Sequence, residues 1–153
     1  MLAATLHGPG DLRLEEIPVP EPGPGELLVR VEAALTCATD LKIIRIGRHP
    51  SLGPLPAGLG HEMAGSVAAA GPDGSRFREG ERVLVANSAP CGDCPACWRG
   101  QPSQCRRLTF LHGGFAQYLR VPRRIAEVNV RPIPADLPFD HAALAEPLAC
   151  ALR

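Results

Sequence analysis

Four cysteines in the stretch CGDCPACWRGQPSQC, Cys91, Cys94, Cys97 and Cys105, follow the pattern C-x2-C-x2-C-x7-C. Two-residue gaps let neighbouring thiolates converge on one ion, and a fourth ligand after a longer loop completes a tetrahedron. That donor set suits Zn²⁺, whose filled d shell imposes no direction on its ligands. An iron–sulfur cluster fits less well. It would place the fourth cysteine after a three-residue gap and before a proline, where this chain has Gln101. Four thiolates on one divalent ion leave net negative charge, and Arg99, Arg106 and Arg107 are close enough in sequence to offset it. A closed four-cysteine site has no open coordination position, so it steadies a loop and performs no chemistry.

A second group is more scattered. Cys37, His61, Glu62, Glu146 and Cys150 all have metal-binding side chains. Taken singly, each has a bland reading. Cys37 can be a small buried hydrophobe, His61 a hydrogen-bonded core histidine, and EPLAC a turn between helices. The pair His61-Glu62 in GLGHEMAGSV is harder to dismiss. It opens an apolar run that reads as a strand, where alternation would send the two side chains to opposite faces.

Strands must supply the frame for these residues. Residues 1–6 and 12–17 read as short strands around the turn HGPGD. PVPEPGPGE, 18–26, is too proline-rich for a central strand. In ELLVRVEAA, 26–34, Val29 and Val31 alternate with Arg30 and Glu32, as in a half-buried strand. ATDLKIIRIG predicts a short helix starting near Thr39 or Asp40, and residues 47–60 read as loop. EMAGSVAAAG, residues 81–88 and residues 113–122 are further strands. Asp140 is placed to cap a helix through HAALAE, interrupted by Pro147 before a second helical segment, LACALR. Periodicity alone therefore predicts a mainly β domain with helices near the end of the chain.

Composition narrows the class. The chain has 153 residues, enough for one domain with a core, with 45% hydrophobic and 21% charged residues. Lys+Arg and Asp+Glu are both 16, so a partner held by bulk charge, such as nucleic acid or an anionic membrane, is not expected. With 16 Gly, 17 Pro and 4% aromatics, the sequence suggests many turns between short strands. No apolar run approaches the ~20 residues of a membrane span, and no signal-peptide pattern opens the chain. A cytoplasmic protein is the expectation, and there six cysteines are better ligands than disulfide partners.

CATD, GHE, the four-cysteine run and EPLAC, in that order, resemble the N-terminal part of the zinc-dependent medium-chain alcohol and polyol dehydrogenases. EGERVLV and GGFAQYLRVP are similar to that family's linking strands, and the resemblance spans essentially the whole chain. It implies a GroES-like, partly open β-barrel over residues 1–153, with a structural zinc lobe projecting at 89–107. It implies a catalytic zinc on Cys37 and His61, with Glu146 as third ligand and Cys150 as the alternative. Asp40 would orient His61, Thr39 would relay the substrate proton, and Glu62 would coordinate during ligand exchange. Pro147, by pushing Glu146 out of helical geometry, would free its side chain to turn into a cleft.

The implied reaction moves a hydride between an alcohol or polyol and NAD or NADP. The dinucleotide fingerprint G-x-G-x-x-G does not occur in the sequence. The chain is therefore expected to be a fragment without its Rossmann cofactor domain, inactive alone and a homo-oligomer when full length. The competing expectation is a freestanding zinc module that binds a partner, supported by Arg106-Arg107 and Arg123-Arg124. Zero net charge and few aromatics count against it.

Overall fold

In the computed structural model the structure describes residues 1–152. The chain runs through strand β1 (Leu2–Gly8), β2 (Asp11–Glu16) and β3 (Leu27–Leu35), helix α1 (Ala38–Ile46), then β4 (Ala57–Gly58), β5 (Glu62–Ala70), β6 (Arg82–Val85) and β7 (Ser88–Ala89). Helix α2 (Pro95–Trp98) and a 3-10 turn (Pro102–Gln104) carry the cysteine lobe. β8 (Thr109–Phe110), β9 (Tyr118–Val121), α3 (Arg123–Val128), β10 (Val130–Pro132), α4 (Phe139–Ala143) and α5 (Ala145–Ala151) follow. The mainly β expectation holds, as open sheets that do not close into a barrel.

A five-stranded antiparallel sheet, β10-β6-β5-β3-β9, forms the centre, with β2-β1-β4 as a second sheet and β7-β8 as a short ribbon. Val29, Val67, Val83, Val85, Val121 and Val130 are fully buried in the main core with Leu27, Met63 and Ile125. β-branched side chains at alternating positions pack well on a pleated surface, which is why these segments are strands. The β3–β5 ladder is irregular between Val31 and Ala33. Next to that irregularity Gly65 lies against Arg30: a Cβ added there would sit 2.0 Å from the Arg30 carbonyl oxygen.

β5 is covered on both faces. Met63 and Val67 face the main core, while Ala64 packs with Ala142 and Ala143 of α4. Small residues on both sides let the helix approach closely. Arg82 of β6 fastens the entry to that helix by donating to the carbonyls of Pro134 (2.8 Å) and Leu137 (2.5 Å) and stacking 4.2 Å over the Phe139 ring. The α4–α5 unit is thereby held over the start of β5.

Several local expectations are corrected. Helix α1 begins at Ala38, so Thr39 and Asp40 lie in its first turn as expected, and its cap is Cys37: the Cys37 sulfur accepts from Thr39 N–H, and Asp40 accepts from Cys37 N–H. Asp40 thus occupies the third helical position and closes a reciprocal capping box. α4 starts after Pro138, and Asp140 lies inside its first turn. The α4–α5 break falls at Leu144, and Pro147 lies within α5. Proline in a first turn removes an N–H that has no partner anyway, so Glu146 is helical. Residues 47–60 contain β4, and the strand expected over 113–122 shortens to Tyr118–Val121. β10 was not anticipated because it contains Pro132, which is tolerated since β10 is the sheet edge.

Candidate metal centres

The cysteine lobe brings its four sulfurs together. Cys91, Cys94, Cys97 and Cys105 offer ligand atoms that all lie within 4.8 Å of one another. Individual separations are 3.4 Å for Cys91–Cys105, 3.6 Å for Cys94–Cys97 and 3.9 Å for Cys94–Cys105. A tetrahedron with ~2.3 Å zinc–sulfur bonds has edges of about 3.8 Å, so this spacing fits one Zn²⁺ and is far from the ~2 Å of a disulfide. Backbone N–H groups of Cys91 and Arg107 donate to the Cys105 sulfur at 3.3 and 3.4 Å, and Arg107 Nη2 reaches the Cys91 sulfur at 3.7 Å. These donors favour the thiolate form. The Cys97 backbone foremost pulls the Cys94 thiol below its ordinary range, while the Asp93 carboxylate pushes Cys91 upward. Arg107 also pairs with Asp93.

The second centre is assembled from three parts of the chain. Cys37 sits at the N-cap of α1, where the capping box fixes its backbone. His61 precedes β5 and follows Gly60, whose φ of +86° belongs to the left-handed region that glycine adopts without strain. That turn aims the Gly60 N–H at Asp40 Oδ1 (3.3 Å), and the Gly60 carbonyl accepts from Gly113 and Gly114 (3.0 Å each). His61 is therefore outside the strand's alternation, and both His61 and Glu62 are buried, at 6% and 4% exposure.

Asp40 ties these parts together. It is 0% exposed and accepts from Cys37 N–H (3.0 Å), Gly60 N–H and His61 Nδ1 (3.2 Å). Burial opposes its charge, but the hydrogen bonds from His61, Cys37 and Gly60 outweigh burial and hold its pKa below the usual range. The same contact raises His61 to about 9. With Nδ1 committed to Asp40, Nε2 is the nitrogen left for a metal.

Cys37, His61 and Glu62 bring their ligand atoms within 4.8 Å of one another. Glu146, expected as the third ligand, is not in that group; it approaches from α5, held by Asn87 Nδ2 at 3.0 Å. Burial raises the Glu146 pKa, the nearby His61 opposes this, and the Glu62 carboxylate adds to it. Two carboxyl groups facing each other in a buried site are costly alone and favourable around a cation. The Cys150 sulfur lies 3.9 Å from Glu146 Oε1 and is more exposed. Cys37, Thr39, His61, Glu146 and Cys150 line one cavity of about 240 Å³.

The same cavity is walled by residues the sequence reading passed over: His49, Ser51, Asn87 and His112. His112 meets His61 edge-on with ring centroids 5.5 Å apart. Burial foremost, then the charge on His61, lowers its pKa. Asp40, His61 and His112 form a third close group, but the Asp40 oxygens are already taken up by the three donors above. The only sequence signal for His112 was a histidine before the Gly-Gly of LHGGF, and nothing in its spacing links it to His49.

Among the described residues no helix is long and apolar enough to cross a membrane. The alcohol dehydrogenase GroES-like domain family matches residues 23–134. The erythritol/L-threitol dehydrogenase of Mycolicibacterium smegmatis is 36% identical over 100% of this chain and 46% of its own length. The sorbitol dehydrogenase of Bacillus subtilis is 34% identical over 100% of this chain and 44% of its own. A Sinorhizobium meliloti structure assigned as a zinc-binding dehydrogenase and bound to NADP superposes with a TM-score of 0.86 at 38% identity, covering 99% of this chain and 43% of that one. Galactitol-1-phosphate dehydrogenase from Escherichia coli gives 0.85 at 29% identity, covering 99% and 43%. The chain thus spans less than half the length of these relatives. On the match over residues 23–134 and these identities, the chain belongs to the alcohol dehydrogenase GroES-like domain family.

Proposed function

We propose that residues 1–153 are the metal-binding catalytic portion of a cytoplasmic, zinc-dependent oxidoreductase that moves a hydride between an alcohol or polyol and NAD or NADP. The observation that carries this is the convergence of Cys37, His61 and Glu62 within 4.8 Å, with Cys37 and His61 lining a cavity that Thr39 and Glu146 also line. A thiolate, an imidazole and a carboxylate are the donor set of an open zinc site. The four-sulfur lobe at 89–107 is the structural counterpart. Zinc in the first site would supply Lewis-acid polarisation of the substrate oxygen, and the nicotinamide would supply the hydride acceptor.

The remaining work falls to this chain. Asp40 holds the His61 ring with Nε2 free and fixes its tautomer. Thr39 lines the cavity, and its hydroxyl would carry the substrate proton toward solvent. Asn87 steadies Glu146 as the third ligand, and Glu62, in closer reach of Cys37 and His61, takes its place during ligand exchange. The nucleotide-binding unit is proposed to lie outside these residues, since the sequence holds no G-x-G-x-x-G, and the chain alone is expected to bind zinc without oxidising alcohols.

Metal analysis tests the reading. Two zincs per chain are expected, one readily exchanged for cobalt, with Cys37→Ser and Glu146→Ala each weakening the exchangeable one. One tight zinc that survives both substitutions, together with salt-sensitive nucleic-acid binding, would replace this function with that of an interaction module.

A further inference from the structure

Glu146 stands on α5, a helix that buries none of its own residues. Leu148 on the same helix is 56% exposed. Helices of five and seven residues, as α4 and α5 are, do not hold together by themselves. The place of α5 is therefore set by the segment before it and by the contacts it makes. Before it comes α4, seated through Ala142 and Ala143 on Ala64 of β5. Its contact at the metal side is Asn87, whose Nδ2 donates to Glu146 Oε1 at 3.0 Å.

A single residue gathers the chain that leads into α4. Arg82 Nη1 donates to the carbonyls of Pro134 (2.8 Å) and Ala135, and Nη2 to that of Leu137 (2.5 Å). The guanidinium carbon lies 4.2 Å from the centre of the Phe139 ring, and the Arg82 carbonyl accepts from Ile133 N–H at 3.1 Å. Backbone and side chain together thus hold the run from Ile133 to Phe139. Ile133, Leu137 and Phe139 pack in turn against the alanines that seat α4. A guanidinium suits this task because its planar fork aims several donors in fixed directions, which an ammonium does not. Arg82 opens β6, a strand paired on both sides, with β5 and β10. Asn87 lies just beyond the same strand, tied by Ala86 N–H to the Asn129 carbonyl (3.1 Å) and by its own carbonyl to Leu111 N–H (2.8 Å). One anchored segment therefore holds the α4–α5 unit at its entry and again at Glu146. Cys37 and His61 are placed separately, through Asp40.

We propose that Arg82 is a positioning residue for the exchangeable metal site: by fixing the turn over 134–138 it sets where Glu146 stands. The inference rests on the reading of Glu146 as third ligand and adds to it the residue that places that ligand. Arg82 does not line the cavity, so its effect on the metal passes through the α4–α5 unit. The competing account is that Arg82 closes a surface turn and does nothing more. The two accounts differ in one respect. A residue that acts through Glu146 has no leverage on the metal once Glu146 is gone, whereas a general loss of order weakens the site with or without it.

A double-mutant cycle tests this by chelator competition for the exchangeable zinc, well below the unfolding midpoint of every variant. Arg82→Gln is expected to weaken that zinc about tenfold, the low end for partners that orient a metal ligand. In the Glu146→Ala background the same substitution should change it by less than about twofold, the scatter of uncoupled sites. An equal loss in both backgrounds overturns the proposal, and so does no loss in the parent chain where Glu146→Ala itself weakens the zinc. Arg82→Lys keeps the charge and loses the fork; it goes through the same cycle and is read the same way should Arg82→Gln not fold. A second readout needs no metal. The side-chain amide signal of Asn87 in ¹⁵N spectra, assigned by its loss in Asn87→Ala, should move in Arg82→Gln toward its position in Glu146→Ala, where the bond to Glu146 is absent. An unmoved signal overturns the proposal. A moved signal, with zinc held as tightly in Glu146→Ala as in the parent chain, would uphold Arg82 as the residue that places Glu146 and sink the third-ligand reading alone.

Discussion

Replacing Asp40 with alanine is the most demanding test of how the second centre is built. The carboxylate is fully buried and accepts from Cys37 N–H at 3.0 Å, Gly60 N–H at 3.3 Å and His61 Nδ1 at 3.2 Å. Alanine leaves those three donors in a space too small for ordinary solvation. Each unsatisfied buried donor costs about 1–3 kcal/mol, and losing the box at the start of α1 is part of that sum. The longer 3.2–3.3 Å contacts belong at the low end, so a loss of about 3–5 kcal/mol is expected. In a domain of this size that is a fall in Tm of roughly 10 °C. Urea unfolding at fixed free zinc reads it as a lower midpoint with unchanged slope. Competition with a chromophoric chelator should show the exchangeable zinc bound about 10–100-fold more weakly, while the lobe zinc stays. Asp40→Asn should fall between, because its amide accepts on one side and opposes a donor on the other. If Asp40→Ala costs less than about 1 kcal/mol and holds both metals equally well, the carboxylate is not the tie described here.

Three further outcomes follow from the packing. Gly65→Ala places a methyl 2.0 Å from the Arg30 carbonyl oxygen and 2.9 Å from Val29 Cγ1; the β3–β5 ladder must open, and a loss of about 3 kcal/mol or insoluble expression is expected, read by denaturant midpoint. Pro147→Ala should change stability by less than about 1 kcal/mol and leave the helix content by circular dichroism unchanged, because a first-turn proline removes no intrahelical bond. Cys105→Ser removes a sulfur that lies 3.4 and 3.9 Å from two others; one zinc equivalent should be lost, with faster hydrogen exchange over the lobe and native protection in the five-stranded sheet, since the lobe packs as its own small cluster.

The parts legible in the sequence were those where one signal sits in one local stretch. The cysteine spacing located the lobe because all four ligands come from fifteen consecutive residues, 91–105. Alternation of Val29 and Val31 with charged neighbours located β3, and the same apolar-run logic found β5. What the sequence concealed depends on contacts between distant segments. β10 carries Pro132 and reads as a breaker until its edge position is known. The helix break falls at Leu144 in place of Pro147, in a unit that packs on Ala64 from a distant strand, a contact no local propensity encodes. His49, Ser51 and His112 are joined across a separation of 61 residues by a single hydroxyl, and no spacing rule connects them. The family resemblance supplied Cys37, His61 and Glu146 together, where individual chemistry left each ambiguous.

The two centres differ in how they depend on the fold. The lobe encloses its own ligands, and a bound ion can organise it much as metals organise small folds. The second centre has no such independence. Cys37 is placed by a helix cap, His61 by a left-handed glycine, and Glu146 by a helix seated on the far face of β5. Asp40 couples the first two directly, so a shift of α1 is felt at the His61 ring within one hydrogen bond. Glu146 has no such tie; it reaches the site through Asn87 and the packing of α4. Movement of the α4–α5 unit would therefore displace Glu146 while leaving the Asp40 contacts to Cys37 and His61 in place.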